Sequence, residues 1–175
     1  MVLAHVANET IKKEDGNKDT FLDGPLMEEY HLMNRWNYDS HEYKGQWGVN
    51  ALYEKRTAGQ LPDIENRFGI GIEAIRAEAF SKNAWEIDHE KEGSLAFVFQ
   101  GIYHKHDSFY GNKTYNAQQG NLYGNLIYLS NLTEDSHMHN MKAGLGVTAD
   151  FLDEMILGKK RISLKKDANA YFLYI

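Results

Sequence analysis

The chain has no cysteine. That removes disulfides, thiolate metal sites and cysteine nucleophiles together, and leaves the compartment open. Proline is nearly missing, with 2 in 175 residues, so little in the chain interrupts hydrogen-bonded ladders. There is no surplus of positive charge: 25 Asp plus Glu stand against 19 Lys plus Arg, a balance that does not indicate a nucleic-acid-binding surface. No apolar run approaches the ~20 residues of a membrane helix. The start, Met1-Val-Leu-Ala-His-Val6, lacks the basic segment and apolar run of a secretory signal.

What the chain does have is 11 Tyr, 8 Phe and 15 Gly, a composition that suits strands joined by glycine-tolerant turns. Its length fits one domain. Strand-like segments recur at 2–8, 29–38, 43–55, 67–79, 93–104, 120–131, 137–151 and 168–175. Several exceed the five or six residues usual in globular sheets and reach the ~9–11 of a tilted membrane strand. The fold class expected is all-β: an antiparallel up-and-down meander of about eight long strands, part of a transmembrane β-barrel, with residues 1–175 forming a single barrel segment.

Alternation is clearest in two segments. Tyr43, Gly45, Trp47, Val49, Ala51 and Tyr53 oppose Lys44, Gln46, Gly48, Asn50 and Leu52; Met141, Ala143, Leu145, Val147, Ala149 and Phe151 oppose Lys142, Gly144, Gly146, Thr148 and Asp150. This is period two. Aromatics near both ends of the first apolar set match the girdles of an outer-membrane strand. Tyr43, Trp47, Val49, Tyr53, Leu145, Val147 and Phe151 are therefore expected to face lipid, and Lys44, Gln46 and Asn50 the lumen. A soluble sheet with one wet face alternates in the same way. Segment 67–79 is less regular: Phe68, Ile70, Ile72 and Ala74 share a face that runs on into Arg76 and Glu78, so a bulge or an early membrane exit is expected there. Connections read as long (9–28), short (39–42), fairly long (56–66), intermediate (80–92), long (105–119), short (132–136) and long (152–167), the alternation of an up-and-down barrel with long outer loops.

Asp15, Asn17, Asp19 and Asp23 fall at positions one, three, five and nine of a calcium-type loop. Thr20 stands where an EF-hand needs glycine and Leu26 where it needs glutamate, so the pattern is that of a candidate calcium loop outside that family, or of a polar turn closed by Asx hydrogen bonds. His104 with His106, and His137 with His139, are two-histidine pairs of strand spacing. No nucleophile elbow, triad spacing or zinc signature is present, and the expectation is a chain without enzymatic activity.

Asn17-Lys-Asp-Thr-Phe-Leu-Asp-Gly-Pro-Leu26, then Met33-Asn-Arg-Trp36, Gly48-Val-Asn-Ala-Leu-Tyr-Glu-Lys-Arg56 and Gly59-Gln60 resemble the barrel region of TonB-dependent outer-membrane receptors of Bacteroidetes type. Ser94-Leu95, Phe109-Tyr-Gly111, Tyr123-Gly-Asn-Leu-Ile-Tyr128 and Gly144 to Glu154 follow in the same order, so the resemblance covers most of 15–154. It implies a barrel of about 22 strands closed by a plug domain, located in the cell outer membrane. Such receptors take up a ferric chelate (siderophore), haem, a vitamin such as cobalamin, or a glycan, with energy from the TonB complex. The partners implied are outer-membrane lipid, a plug domain and the remaining barrel strands, with no nucleic acid. The chain reads as a central fragment of such a barrel, without plug or signal peptide. The alternative expectation is a soluble β-barrel binding a small apolar ligand, its odd faces turned inward.

Overall fold

The structure is a computed structural model that describes residues 1–9, 15–61, 65, 67–88, 93–134, 137–157 and 159–174. Among these residues there is no helix. Eight strands follow one another: β1 (Val2–Glu9), β2 (Leu26–Asp39), β3 (Tyr43–Gly59), β4 (Gly69–Asp88), β5 (Gly93–Tyr110), β6 (Lys113–Glu134), β7 (His137–Ile156) and β8 (Lys159–Tyr174). Each pairs antiparallel with the next, giving one sheet in the order β1 to β8. The sheet is open, with β1 and β8 as its edges. No helix is long and apolar enough to cross a membrane, which says nothing of strands.

The strands are longer than the periodicity suggests. β4 to β7 run for 18 to 22 residues, about twice what a membrane crossing needs. Two connections expected to be long loops are strand instead. Residues 105–119 form the tip of the β5–β6 hairpin, closed by Gly111 and Asn112 alone. Gly111 has φ +61 at the first of the two turn positions, as a type II′ hairpin requires. In 152–167, β7 runs to Ile156 and β8 starts at Lys159. Polar residues such as Asn116, Gln118, Asp153 and Glu154 masked these extensions, because both faces of the ladder are wet there and period two loses its hydrophobic contrast.

Register settles the faces. Across the ladder Val49 pairs with Ala79, Ala79 with Gly101, Gly101 with Leu122, and Leu122 with Ala149. Val49 therefore shares its face with the odd residues of β4, β5 and β7 and the even residues of β2 and β6. In β4 this face carries Ile75, Ala77, Ala79, Ser81, Asn83 and Trp85, while Ile70, Ile72, Ala74, Arg76 and Glu78 lie together on the opposite one. The bulge expected within 67–79 is not needed. The register shift of this hairpin comes between Glu86 and Asp88, beside the next turn.

A sheet of one layer has nowhere to make a core. No hydrophobic side chain among the described residues is buried, and only Ser108 and Ser130 are buried polar groups. The accessible surface is 12346 Å², against roughly 8,700 Å² for a compact monomer of this mass.

Candidate functional site: two chemically distinct sheet faces

One face is apolar and uncharged over a continuous band. From Tyr30 to Tyr38 in β2, Tyr43 to Tyr53 in β3, Ile75 to Trp85 in β4, Leu95 to Tyr103 in β5, Gly120 to Tyr128 in β6 and Met141 to Phe151 in β7, no Asp, Glu, Lys or Arg falls on it. Leu32, Val49, Leu122, Leu145 and Val147 each keep 46–54% of their surface open. Tyr43, Trp47, Val49, Tyr53, Leu145, Val147 and Phe151 all lie on this face, as the alternation predicts.

Aromatic rims border the band. At the short-turn end Tyr43 stacks on Trp85 with ring centroids 5.3 Å apart and neighbours Tyr38 at 5.9 Å and Trp47 at 6.3 Å. The three tryptophans of the chain, Trp36, Trp47 and Trp85, all sit here on the apolar face. Gly45 makes room for this cluster, since a Cβ there would meet the Trp47 ring and the Tyr43 hydroxyl. At the other end Tyr30 and Tyr53 lie 6.1 Å apart, with Tyr103 on the same face. The rise from Tyr43 to Tyr53 is about 34 Å along the strand, or roughly 26 Å along the normal at the tilt of barrel strands, close to the ~25 Å apolar band of outer-membrane barrels.

Three polar groups near the short-turn rim satisfy one another. The Tyr43 hydroxyl donates to Asn83 Oδ1 at 2.6 Å, and Asn83 Nδ2 donates to Ser81 Oγ at 2.7 Å. Such closure removes most of the cost of placing an amide beside hydrocarbon.

The opposite face is mixed and wet, and holds Lys44, Gln46 and Asn50. Asn50 Oδ1 lies 2.7 Å from His31 Nε2, Gln46 Nε2 donates to Asn37 Oδ1 at 3.0 Å, and Lys44 is 3.9 Å from Asp39. Farther across, Gln100 Nε2 donates to Glu78 Oε1 at 2.7 Å, Arg76 lies 3.6 Å from Glu78, and Asn121 donates to Asp150. Met33, Leu52, Phe80 and Ile102 interleave with these groups. His104 and His106 sit on this face with rings 6.3 Å apart, and His106 is 5.7 Å from the Tyr115 ring. The side chains of His137 and His139 lie outside the described residues.

The acidic loop folds around its own amides. Asp15 accepts the Asp19 N–H at 2.8 Å and the Thr20 N–H at 2.6 Å, Asn17 Oδ1 accepts the Asp19 N–H at 3.1 Å, Asp19 accepts the Phe21 N–H at 2.8 Å, and Asp23 accepts the Gly16 N–H at 2.9 Å. Lys18 and Thr20 take left-handed φ of 62° and 73°. Among the described residues no three His, Cys, Asp or Glu side chains are grouped to hold a metal ion.

The loop is also stitched to its neighbours at the same end of the sheet. Leu22 N–H donates to Gly59 O and Leu61 N–H to Thr20 O, both at 2.9 Å; Gln60 N–H donates to Phe68 O at 2.9 Å and Gly111 N–H to Gly69 O at 2.7 Å. Between them lies a cavity of about 440 Å³ lined by Leu22, Leu26, Gln60, Arg67, Gly69 and Phe109. The sequence reading missed it, because its walls come from segments that meet only through these backbone bonds.

Comparison with protein-family models, with curated proteins and with solved structures gives no match.

Proposed function

We propose that this chain forms part of the wall of an outer-membrane β-barrel, within a TonB-dependent receptor that takes up a scarce nutrient. The observation that carries the reading is the uncharged, aromatic-bordered face extending without interruption over six consecutive strands. In a soluble protein that face needs a second layer over it, and the eight strands form a single open sheet. In a membrane, lipid is the second layer. A soluble barrel with the same face turned inward would have to close on itself, and β1 and β8 are separate edges.

On this reading Tyr43, Trp47, Val49, Tyr53, Leu145, Val147 and Phe151 contact lipid or its interfaces, while Lys44, Gln46 and Asn50 line the lumen. The edge strands β1 and β8 pair with further strands of the receptor wall, which satisfies their open N–H and C=O groups. The acidic loop and the hairpin tips form the outer surface where the nutrient, a ferric chelate, haem, cobalamin or glycan, arrives. The receptor assignment itself rests on the sequence resemblance over 15–154.

Gel mobility tests the membrane part. Reconstituted in detergent or vesicles, the barrel that contains this chain is expected to migrate anomalously until boiled. Recovery as a detergent-free monomer with the same far-UV β signal would overturn it.

A further inference from the structure

Above the outer aromatic rim the apolar face changes character while the strands continue. Past Tyr53, Ile75 and Tyr103 it carries Lys55, Thr57, Glu73, Lys105, Asp107, Phe109, Thr114 and Asn116. Lys55, Glu73, Phe109, Thr114 and Asn116 are exposed, and Lys105 holds Asp107 at 2.6 Å. Within this stretch is a recess of about 250 Å³ whose walls include Lys55, Glu73, Asp107, Phe109, Thr114 and Asn116.

Phe109 forms its floor. The ring overlies Gly71 so closely that a Cβ there would come within 2.1 Å of Phe109 Cε1, and at Gly69 within 3.5 Å of Cε2. Gly71 is buried beneath it, while Phe109 keeps 42% of its surface open. The result is an aromatic ring braced from below by two glycines, open above, and ringed by hydroxyl, amide, carboxylate and ammonium groups. A flat apolar surface beside a fan of donors and acceptors matches a pyranose, which has an apolar C–H face and a hydroxyl edge.

Position chooses the source of the sugar. Phe109 is six residues beyond Tyr103, about 20 Å along the strand and roughly 15 Å along the normal at barrel tilt. It lies on the face continuous with the lipid-facing band, not on the face with Lys44 and Asn50. A group at that height outside a barrel wall meets membrane-bound headgroups before it meets solutes in the lumen.

We propose that this recess docks the saccharide headgroup of a glycolipid in the outer leaflet, with Phe109 as the stacking platform and Asp107, Asn116, Thr114 and Lys55 as hydrogen-bonding and ionic partners. The inference rests on the membrane reading above.

The barrel that contains this chain, reconstituted in phosphatidylethanolamine vesicles with and without lipopolysaccharide, tests it. The readout is the temperature at which the folded gel band is lost, titrated against lipopolysaccharide. Lipopolysaccharide is expected to raise the transition of the wild type. Phe109→Ala is expected to weaken the apparent affinity roughly three- to tenfold and Asn116→Ala to weaken it less, with both variants still inserting into plain phospholipid. Phe109→Trp, which keeps a platform, is expected to retain the effect. The proposal is overturned if the transition does not respond, if Phe109→Ala responds like wild type, or if delipidated polysaccharide in solution gives the same rise. Failure to insert into phospholipid vesicles would remove the membrane reading itself, an outcome distinguishable from insertion without a glycolipid response.

Discussion

Placing arginine at Val49 in one variant and at its neighbour Asn50 in another puts the same charge on the two faces in turn, at one depth. Val49 pairs with Asn34 and Ala79, is 46% open and stands near the midpoint between Tyr43 and Tyr53. Nothing in the sheet is crowded by a longer side chain there, so any penalty comes from the medium beyond the face. For Arg near the midplane of a barrel wall that penalty is about 2–4 kcal/mol, a shift of roughly 30- to 900-fold in the folding equilibrium. Asn50→Arg removes the His31 contact at 2.7 Å, worth about 1 kcal/mol, and places the charge opposite Glu78. Tyr53→Arg, at the rim, is expected to cost about 0–1 kcal/mol. Urea titration in phospholipid vesicles, followed by tryptophan fluorescence, gives the three values. The order expected is Val49→Arg well above Asn50→Arg and Tyr53→Arg. If Val49→Arg falls within the ~0.5 kcal/mol typical of surface changes, or if Asn50→Arg is the costlier of the two, the assignment of faces is wrong.

Other outcomes follow from the same geometry. Because Trp36, Trp47 and Trp85 share one face and one rim, lipids brominated near the headgroup end of the chain should quench fluorescence more than lipids brominated near the chain terminus; equal quenching would contradict the rim. Asp15→Ala removes the acceptor for two amides and is expected to loosen the loop by about 1–3 kcal/mol, read as lost hydrogen-exchange protection at Asp19 and Thr20. The same amides, followed with millimolar calcium, decide the ion question: the turn already closes on its carboxylates, so unchanged protection is expected, and a calcium-dependent gain would show a cation site. Gly59 has φ +127, and a Cβ there would lie 2.5 Å from the Phe68 carbonyl oxygen. Gly59→Ala is therefore expected to cost more than about 1 kcal/mol and to unpin the Leu22 amide, whereas Ala58→Gly should leave that amide protected.

The meander and its faces were legible wherever one side of a strand is apolar and the other wet. Tyr43 to Tyr53 and Met141 to Phe151 display that contrast openly, and both keep it in three dimensions. In β4 the same rule misled. Ile70, Ile72 and Ala74 are an apolar run on the polar face, and the small residues Ala77, Ala79 and Ser81 on the apolar face carry too little hydrophobicity to announce it. Register, set by pairing with β3, decided what composition did not. The hairpin extensions beyond Lys105 and Asp153 were hidden for a related reason, since a strand wet on both faces resembles a loop in sequence. The Phe109 recess was out of reach, because it depends on Gly71 lying under a ring thirty-eight positions away.

The two-residue turn at Gly111 and Asn112 changes what this end of the sheet can do. Had residues 105–119 been a free loop, any molecule captured there would have to freeze it, at about 1–2 kcal/mol of backbone entropy per residue. Paired from Lys105 with Gln118 up to Tyr110 with Lys113, that segment has already lost its freedom on folding. Capture on it is therefore lock-like, with a shape fixed before the guest arrives. Selectivity at this end is then a matter of fit, and a poor guest cannot improve its hold by reshaping the hairpin.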